Sequence, residues 1–163
     1  MLDLNKFLQV RKFKNPQRVL NKASEFNYQQ YVNNINQKEI KTCFIDDKNY
    51  PDLLKEIASP PLVIFYKGNI ELLTSKDMIG VVGPRVVSQY GQQVAANLSK
   101  ELLPYFHIAS GLAKGVDTIA HKIALQYGFP TIAVLGTGLD IVYPSCNQDV
   151  FSEIVNKGLI LSE

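Results

Sequence analysis

The pattern of apolar residues changes character near residue 78. Beyond that point, short apolar runs alternate with segments whose apolar residues recur at helical spacing. The runs are Met78–Val82, His107–Ala109, Thr131–Leu135 and Leu159–Leu161, and the helical segments are Gly91–Leu103, Gly115–Tyr127 and one marked by Val150, Ile154 and Val155. Continuous apolar runs are typical of strands buried on both faces of a parallel sheet. The alternation predicts βαβ units with right-handed crossovers, and therefore an α/β fold with a Rossmann-like parallel sheet and flanking helices.

The part of the chain before residue 78 has a weaker pattern. Residues 1–41 are polar and basic, and we expect a small helical N-terminal segment there, followed by one Rossmann-like domain over residues 42–163. Short strands are predicted at Cys43–Ile45 and Leu62–Tyr66. Between them, Pro51 favours the first turn of a helix that runs through Ile57, since proline suits that position.

Composition excludes several classes of protein. Hydrophobic residues make up 46% of the 163 residues and charged residues 20%, which is enough for a packed core. No apolar run approaches the roughly 18 residues that span a bilayer, so no membrane association is expected. Cys43 and Cys146 are far apart and neither has a metal-ligand spacing. The sequence therefore predicts a cytoplasmic protein without a disulfide framework, a metal site or a cofactor.

The net charge of +2 is unevenly distributed. Residues 1–70 carry a net charge of +4 and residues 71–163 a net charge of −2. A nucleic-acid-binding domain usually shows a basic surface. Binding of a polyanion by the second half would therefore require a focal site.

Three loops rich in small residues follow predicted strands and precede helices. They are Gly83-Pro84-Arg85, Ser110-Gly111-Leu112-Ala113-Lys114-Gly115 and Gly136-Thr137-Gly138. In open α/β sheets ligands bind at this edge, where glycine permits close approach and helix N-termini attract anions. If the three loops converge, they would form a phosphate-binding site. The alternative is that each loop only reverses the direction of the chain. Arg85 and Lys114 could be surface ion-pair residues, but their placement favours anion contacts.

Known catalytic motifs are not found in these loops. None matches the dinucleotide-binding or Walker phosphate-loop pattern. Asp117 and His121 are four residues apart and share a helix face, which permits either a general-base pair or a structural pair. The structural interpretation is favoured because no Ser or Cys nucleophile is paired with them. Ser145, with Gln148 at capping-box spacing, or Asn147 is expected to cap a helix.

The order of the motifs is more specific than any one of them. It strongly resembles the DNA-processing protein A family (DprA, also called Smf) over residues 43–163. The motifs are Tyr50-Pro51, Pro60-Pro61, Val82-Gly83-Pro84-Arg85, Tyr90-Gly91, Ser110-Gly111-Leu112-Ala113-Lys114-Gly115-Val116-Asp117, Ala120-His121, Val134-Leu135-Gly136-Thr137-Gly138, Tyr143-Pro144 and Gly158-Leu159-Ile160-Leu161.

The resemblance implies a protein that binds single-stranded DNA during natural transformation. Such a protein protects incoming strands and loads the recombinase RecA on them, with no established enzymatic activity. The resemblance also implies DNA phosphate contacts, with Arg85 as the arginine of the family's Gly-Ser-Arg motif. The implied phosphate-binding set is Gly83, Arg85, Ser110, Gly111, Lys114, Gly115, Gly136, Thr137 and Gly138.

The sequence departs from the family pattern in two respects. Pro84 stands where the family has serine, which removes a hydroxyl and an N–H donor. Family members also continue past the fourth sheet strand, so we expect a truncated product that self-associates through its incomplete side. The alternatives are a phosphoribohydrolase-like enzyme acting on a nucleotide or ribose phosphate, for which Gly136-Thr137-Gly138 is the nearest motif, and a non-functional remnant.

Overall fold

The computed structural model describes residues 37–75 and 77–163. Residues 40–163 form one compact unit. The helical segment predicted for residues 1–41 lies, up to residue 36, outside the described residues.

A single sheet of six strands organises this unit. Its strands are β1 (Lys41–Phe44), β2 (Val63–Gly68), β3 (Met78–Gly80), β4 (His107–Ser110), β5 (Thr131–Val134) and β6 (Leu159–Ser162). The helices are α1 (Asp52–Lys55), α2 (Leu72–Ser75), α3 (Gln89–Leu102), α4 (Val116–Gln126) and α5 (Gln148–Lys157), with a 3-10 helix at Ser145–Asn147. None of the helices within the described ranges is long and apolar enough to cross a bilayer.

The strand order is β1-β2-β6-β5-β4-β3. Strands β3 to β6 are parallel, which confirms the predicted Rossmann-like sheet. The two upstream strands extend it as an antiparallel pair, with β2 antiparallel to β6. The sheet is therefore mixed, and β1 and β3 are its two edge strands.

One face of the sheet is covered by the three long helices. Consecutive parallel strands are neighbours in the sheet, so right-handed crossovers bring α3, α4 and α5 to the same side. Ile108 packs with Ala120 and Ala124 of α4, and Ile160 packs with Ile154 of α5. These side chains are almost completely buried, so this layer forms the main core.

The opposite face is covered by the segment around α1 and α2. Ile132 and Leu159 pack there against Tyr50 and Leu73, and the Tyr50 hydroxyl donates to the Pro61 carbonyl at 2.6 Å. The predicted helix from Pro51 to Ile57 forms only one turn. Its shortness has a physical reason, because Leu53 and Ile57 remain exposed and too little apolar surface is buried to stabilise a longer helix.

The burial of Ile160 gives a direct test of the helix-covered core. The Ile160→Ala variant should lower the free energy of unfolding by about 2–5 kcal/mol, because it removes a fully buried side chain and leaves a cavity. Urea unfolding measures the loss. The matched control Ile141→Ala, at an exposed isoleucine, should change stability by less than about 0.5 kcal/mol. Equal losses for the two variants would contradict the assigned core.

Candidate functional site

The loops after β3 and β4 meet at the carboxyl edge of the parallel strands. The Val116 N–H, at the start of α4, donates to the Pro84 carbonyl at 3.3 Å. Gly115 has a φ of +84°, and a Cβ added there would overlap the Pro84 carbonyl oxygen. Only glycine combines this backbone conformation with so close an approach. A Cβ added at Gly83 would likewise lie 2.6 Å from Val116 Cγ2.

A buried carboxylate organises the loop after β4. Asp117 Oδ2 accepts hydrogen bonds from the backbone N–H of Gly111 at 3.1 Å and of Ala113 at 3.3 Å. A Cβ at Gly111 would lie 3.0 Å from that same oxygen, so the close contact favours glycine. Asp117 therefore satisfies loop amides, which is a form of the structural role predicted for it.

Asn147 ties this loop to the 3-10 helix. Its side-chain amide donates to the Leu112 carbonyl at 2.9 Å and to Thr118 Oγ1 at 2.8 Å. Thr118 Oγ1 in turn donates to the Ala113 carbonyl at 2.6 Å. The predicted helix cap is wrong, since neither the 3-10 helix nor α5 has a side-chain cap. The amide is used instead to hold a loop in which Leu112 has a φ of +55°.

A groove opens between α3, α4 and the 3-10 helix. Its cavity has a volume of about 320 Å³. It is lined by Arg85, Val87, Gln92, Lys114, Gly115, Thr118, Ile119, Lys122, Cys146 and Asn147. We call it the cationic groove, because three of these side chains are positively charged and none is acidic.

The three cations of the groove are not neutralised by the fold. Within residues 37–75 and 77–163, Arg85, Lys114 and Lys122 form no ion pair and no side-chain hydrogen bond. Residues 71–163 contain only six Lys and Arg residues in a segment of net charge −2. Half of those cations therefore line one groove, which is the focal site that binding of a polyanion would require.

The predicted site residues of the first two loops fall into two groups. Arg85, Lys114 and Gly115 line the groove. Gly83 and Gly111 permit the close contacts described above, and Ser110 is buried, with its hydroxyl donating to the Val81 carbonyl at 2.6 Å. Gly83, Ser110 and Gly111 therefore shape the loops that carry Arg85, Lys114 and Gly115.

The third loop does not line the cationic groove. Gly136, Thr137 and Gly138 are all outside its lining. The Thr137 hydroxyl donates to the Ile141 carbonyl at 3.4 Å, and the Thr137 carbonyl accepts from Ser162 Oγ at 2.8 Å. A cradle of three converging loops is thus replaced by two loops and the 3-10 helix, which reaches the groove because Asn147 anchors it to the second loop.

Sequence reasoning missed several lining residues. Lys122, Thr118, Ile119 and Gln92 line the groove but are not among the predicted site residues. A signal was present, because Lys114, Thr118 and Lys122 recur every four residues: Thr118 and Lys122 share one side of α4, and Lys114 lies just before its first turn. The apolar spacing of this helix predicts its buried side, whereas the polar spacing indicates the side that lines the groove.

His121 is inaccessible to a substrate. It is fully buried, and its Nδ1 lies 2.8 Å from Thr131 Oγ1. Because Thr131 Oγ1 donates to the Ile108 carbonyl, it accepts the proton of His121 Nδ1. Burial lowers the pKa of His121 to about 4, although the nearby Asp117 carboxylate and the Ser110 backbone act in the opposite direction. At neutral pH the ring is an uncharged core group.

Comparisons with known proteins agree on one family. The family model described as DNA recombination-mediator protein A matches residues 41–163. Protein Smf of Synechocystis is 39% identical over 90% of this chain and 38% of its own length. DNA processing protein DprA of Streptococcus pneumoniae is 47% identical over 72% of this chain and 41% of its own length. The chain thus spans about two fifths of the length of these curated relatives.

Two solved structures show the same fold. The X-ray structure of DNA processing protein A from Streptococcus pneumoniae matches with a TM-score of 0.85 at 36% identity, covering 99% of this chain and 56% of that one. DNA processing protein A from Helicobacter pylori, whose structure is described for its single-stranded DNA binding mode, matches with a TM-score of 0.67 at 33% identity. That match covers 76% of this chain and 54% of that one.

The buried neutral imidazole predicts a pH dependence of stability. The pKa of His121 is about 4 in the folded state and near 6.5 when unfolded, so the unfolded chain binds more protons between these values. The free energy of unfolding is therefore unaffected by this group above pH 6.5. It falls by about 3 kcal/mol as the pH is lowered from 6.5 towards 4, because the unfolded chain takes up the proton first. Urea unfolding across this range measures it.

The control separates His121 from other titrating groups. The His121→Gln variant should lose this part of the slope, whereas His107→Gln should retain it. Parallel pH profiles for the wild-type protein and His121→Gln would contradict the assignment.

Proposed function

The chain belongs to the DNA recombination-mediator protein A family, and on that premise we propose that it binds single-stranded DNA in the uptake of DNA during natural transformation. The observation that supports this most directly is the cationic groove. Arg85, Lys114 and Lys122 present three unpaired charges from a fixed backbone. A strand crossing the groove would place its phosphates against them, and protection of the incoming strand would follow from this coverage.

Charge is expected to dominate the contacts. A guanidinium can bind two phosphate oxygens at once, whereas the lysine ammonium groups act as point charges. Pro84 contributes no N–H, and its carbonyl already accepts from Val116. The first loop therefore offers its arginine as the principal donor, and Lys114 and Lys122 of the α4 side complete the phosphate path.

We propose that the chain is a binding protein and not an enzyme. Neither a carboxylate nor an imidazole lines the groove, and His121 is fully buried against Thr131. Among the described residues, no cluster of His, Cys, Asp or Glu is arranged to hold a metal ion. The alternative of a phosphoribohydrolase-like enzyme receives no support from these groups, since the Gly136-Thr137-Gly138 loop lies outside the groove.

The protein partners and location follow from the family. We infer that the chain mediates loading of the recombinase RecA, in keeping with the family's description as a recombination mediator, and that it acts in the cytoplasm. Self-association is expected at the edge strand β3 and not through an incomplete side at the fourth parallel strand, because β6 lies between β5 and β2 and its Leu159 and Ile160 are buried. Sedimentation at several concentrations, with and without recombinase, would detect either assembly.

Replacing the groove arginine should weaken binding of a single-stranded oligonucleotide. The Arg85→Ala variant should lose about 1–3 kcal/mol of binding free energy, the range for charge-assisted hydrogen bonds. Its logarithmic salt dependence should fall by about one unit, because one fewer counterion is displaced from the strand. Fluorescence anisotropy at several salt concentrations measures both quantities.

The matched control is Lys157→Ala. Lys157 is paired with Glu153 at the end of α5, beside the start of β6 and therefore at the opposite sheet edge. Its loss should leave affinity unchanged. Bound strand should also slow alkylation of Cys146, which lines the groove, while Cys43 is buried and does not report on it. Equal effects of the two substitutions, or unprotected Cys146, would count against the groove.

The proposed absence of catalysis can be tested at His121. Incubation with nucleoside monophosphates or single-stranded DNA should yield no products, as followed by chromatography. Turnover that disappears in the His121→Gln variant, with folding verified by circular dichroism, would restore the enzyme hypothesis.

A further inference from the structure

Tyr143 is an exposed aromatic residue three positions before Cys146, which lines the cationic groove. It precedes Pro144 and the 3-10 helix, in which Cys146 and Asn147 line the groove. Only Pro144 and Ser145 lie between Tyr143 and Cys146, so the Cα atoms of Tyr143 and Cys146 are at most about 11 Å apart. The phenol side chain is nevertheless 61% exposed.

The backbone on both sides of Tyr143 is anchored. Leu139 is buried in the core, Val142 packs against the same cluster, and the Ile141 N–H donates to the Gly138 carbonyl at 3.1 Å. On the other side, Pro144 is buried and its carbonyl accepts from the Asn147 N–H at 3.0 Å. Within the described part of the chain, the Tyr143 side chain itself makes no hydrogen bond or ring contact. The ring is thus presented on a fixed loop without a structural task of its own.

The other exposed tyrosines are less suited to contact a strand in the groove. Tyr105 lies between α3 and β4, at the opposite edge of the sheet. Lys100 Nζ lies 4.8 Å from the centre of the Tyr127 ring and covers it. Tyr90 is two positions before Gln92, which lines the groove, and is therefore about 200° away around α3.

We propose that Tyr143 stacks against a base of the strand whose phosphates lie in the cationic groove. The inference rests on the proposed function, since it requires a strand in that groove. Proteins that bind single strands combine a cationic path for the backbone with aromatic faces for the bases. Phosphate contacts alone do not distinguish a single strand from a duplex, because both carry the same phosphates. An aromatic ring does distinguish them, because the bases of a duplex are already stacked and paired and cannot stack on it. Tyr143 therefore supplies selectivity for single strands without selectivity for sequence.

The test compares three ligands of equal length: oligothymidylate, an abasic oligomer with the same phosphates, and a duplex. The Tyr143→Ala variant should bind oligothymidylate about 5- to 150-fold more weakly, the range for one stacked base. Its affinity for the abasic oligomer and for the duplex should be unchanged. Tyr143→Phe should retain wild-type affinity, because the ring is kept. Tyr105→Ala, at an equally exposed tyrosine, should also bind as the wild-type protein does.

The outcomes separate this inference from the proposed function. If Arg85→Ala weakens binding of both single-stranded ligands while Tyr143→Ala affects neither, the groove stands and the stacking proposal is overturned. Equal weakening of both ligands by Tyr143→Ala also overturns it, because stacking needs a base. If Arg85→Ala changes neither affinity, the groove proposal itself fails. Unchanged binding of the abasic oligomer shows that Tyr143→Ala is folded.

Discussion

The contact between Gly115 and the Pro84 carbonyl is the constraint on which the rest of the groove depends. It joins the loops after β3 and β4, and it requires a residue without a Cβ at a φ of +84°. The adjacent Val116 N–H completes the junction by donating to the same carbonyl. Arg85 and Lys114, which are each next to one of the contacting residues, are thereby brought to the same groove. A serine or a proline at position 84 provides this carbonyl equally well.

Electrostatics gives the groove its chemical character. The segment that contains it has a net charge of −2, yet its cations are concentrated on one side of α4 and on the neighbouring loop. Since no carboxylate lines the groove, the local potential is opposite in sign to the net charge of that segment. The net charge of the segment consequently does not describe the charge of the groove, which is set by the arrangement of a few side chains.

Several polar residues around the groove have structural contacts, among them Asp117 and His121, the two candidates for a general-base pair. Asp117 accepts loop N–H groups, Thr118 and Asn147 hold the Leu112–Ala113 turn, and His121 is part of a buried hydrogen-bond chain through Thr131. Each satisfies polar groups that would otherwise be costly to bury. These contacts hold the backbone of the loop that carries Lys114.

The sequence by itself determined the parallel strands β3 to β6, the helices between them and the placement of Arg85, Lys114 and Gly115 in loops at the carboxyl ends of strands. These follow from local periodicity and from glycine and charge at strand ends, which neighbouring residues suffice to define. Tertiary structure alone decided that the three long helices share one face, that β1 and β2 extend the sheet antiparallel, and that the Gly136–Gly138 loop stays outside the groove. It also brought Lys122 and Asn147 to the site. Such features depend on contacts between residues distant in sequence, such as Asn147 with Leu112, and no local pattern encodes which distant backbone group an amide will meet.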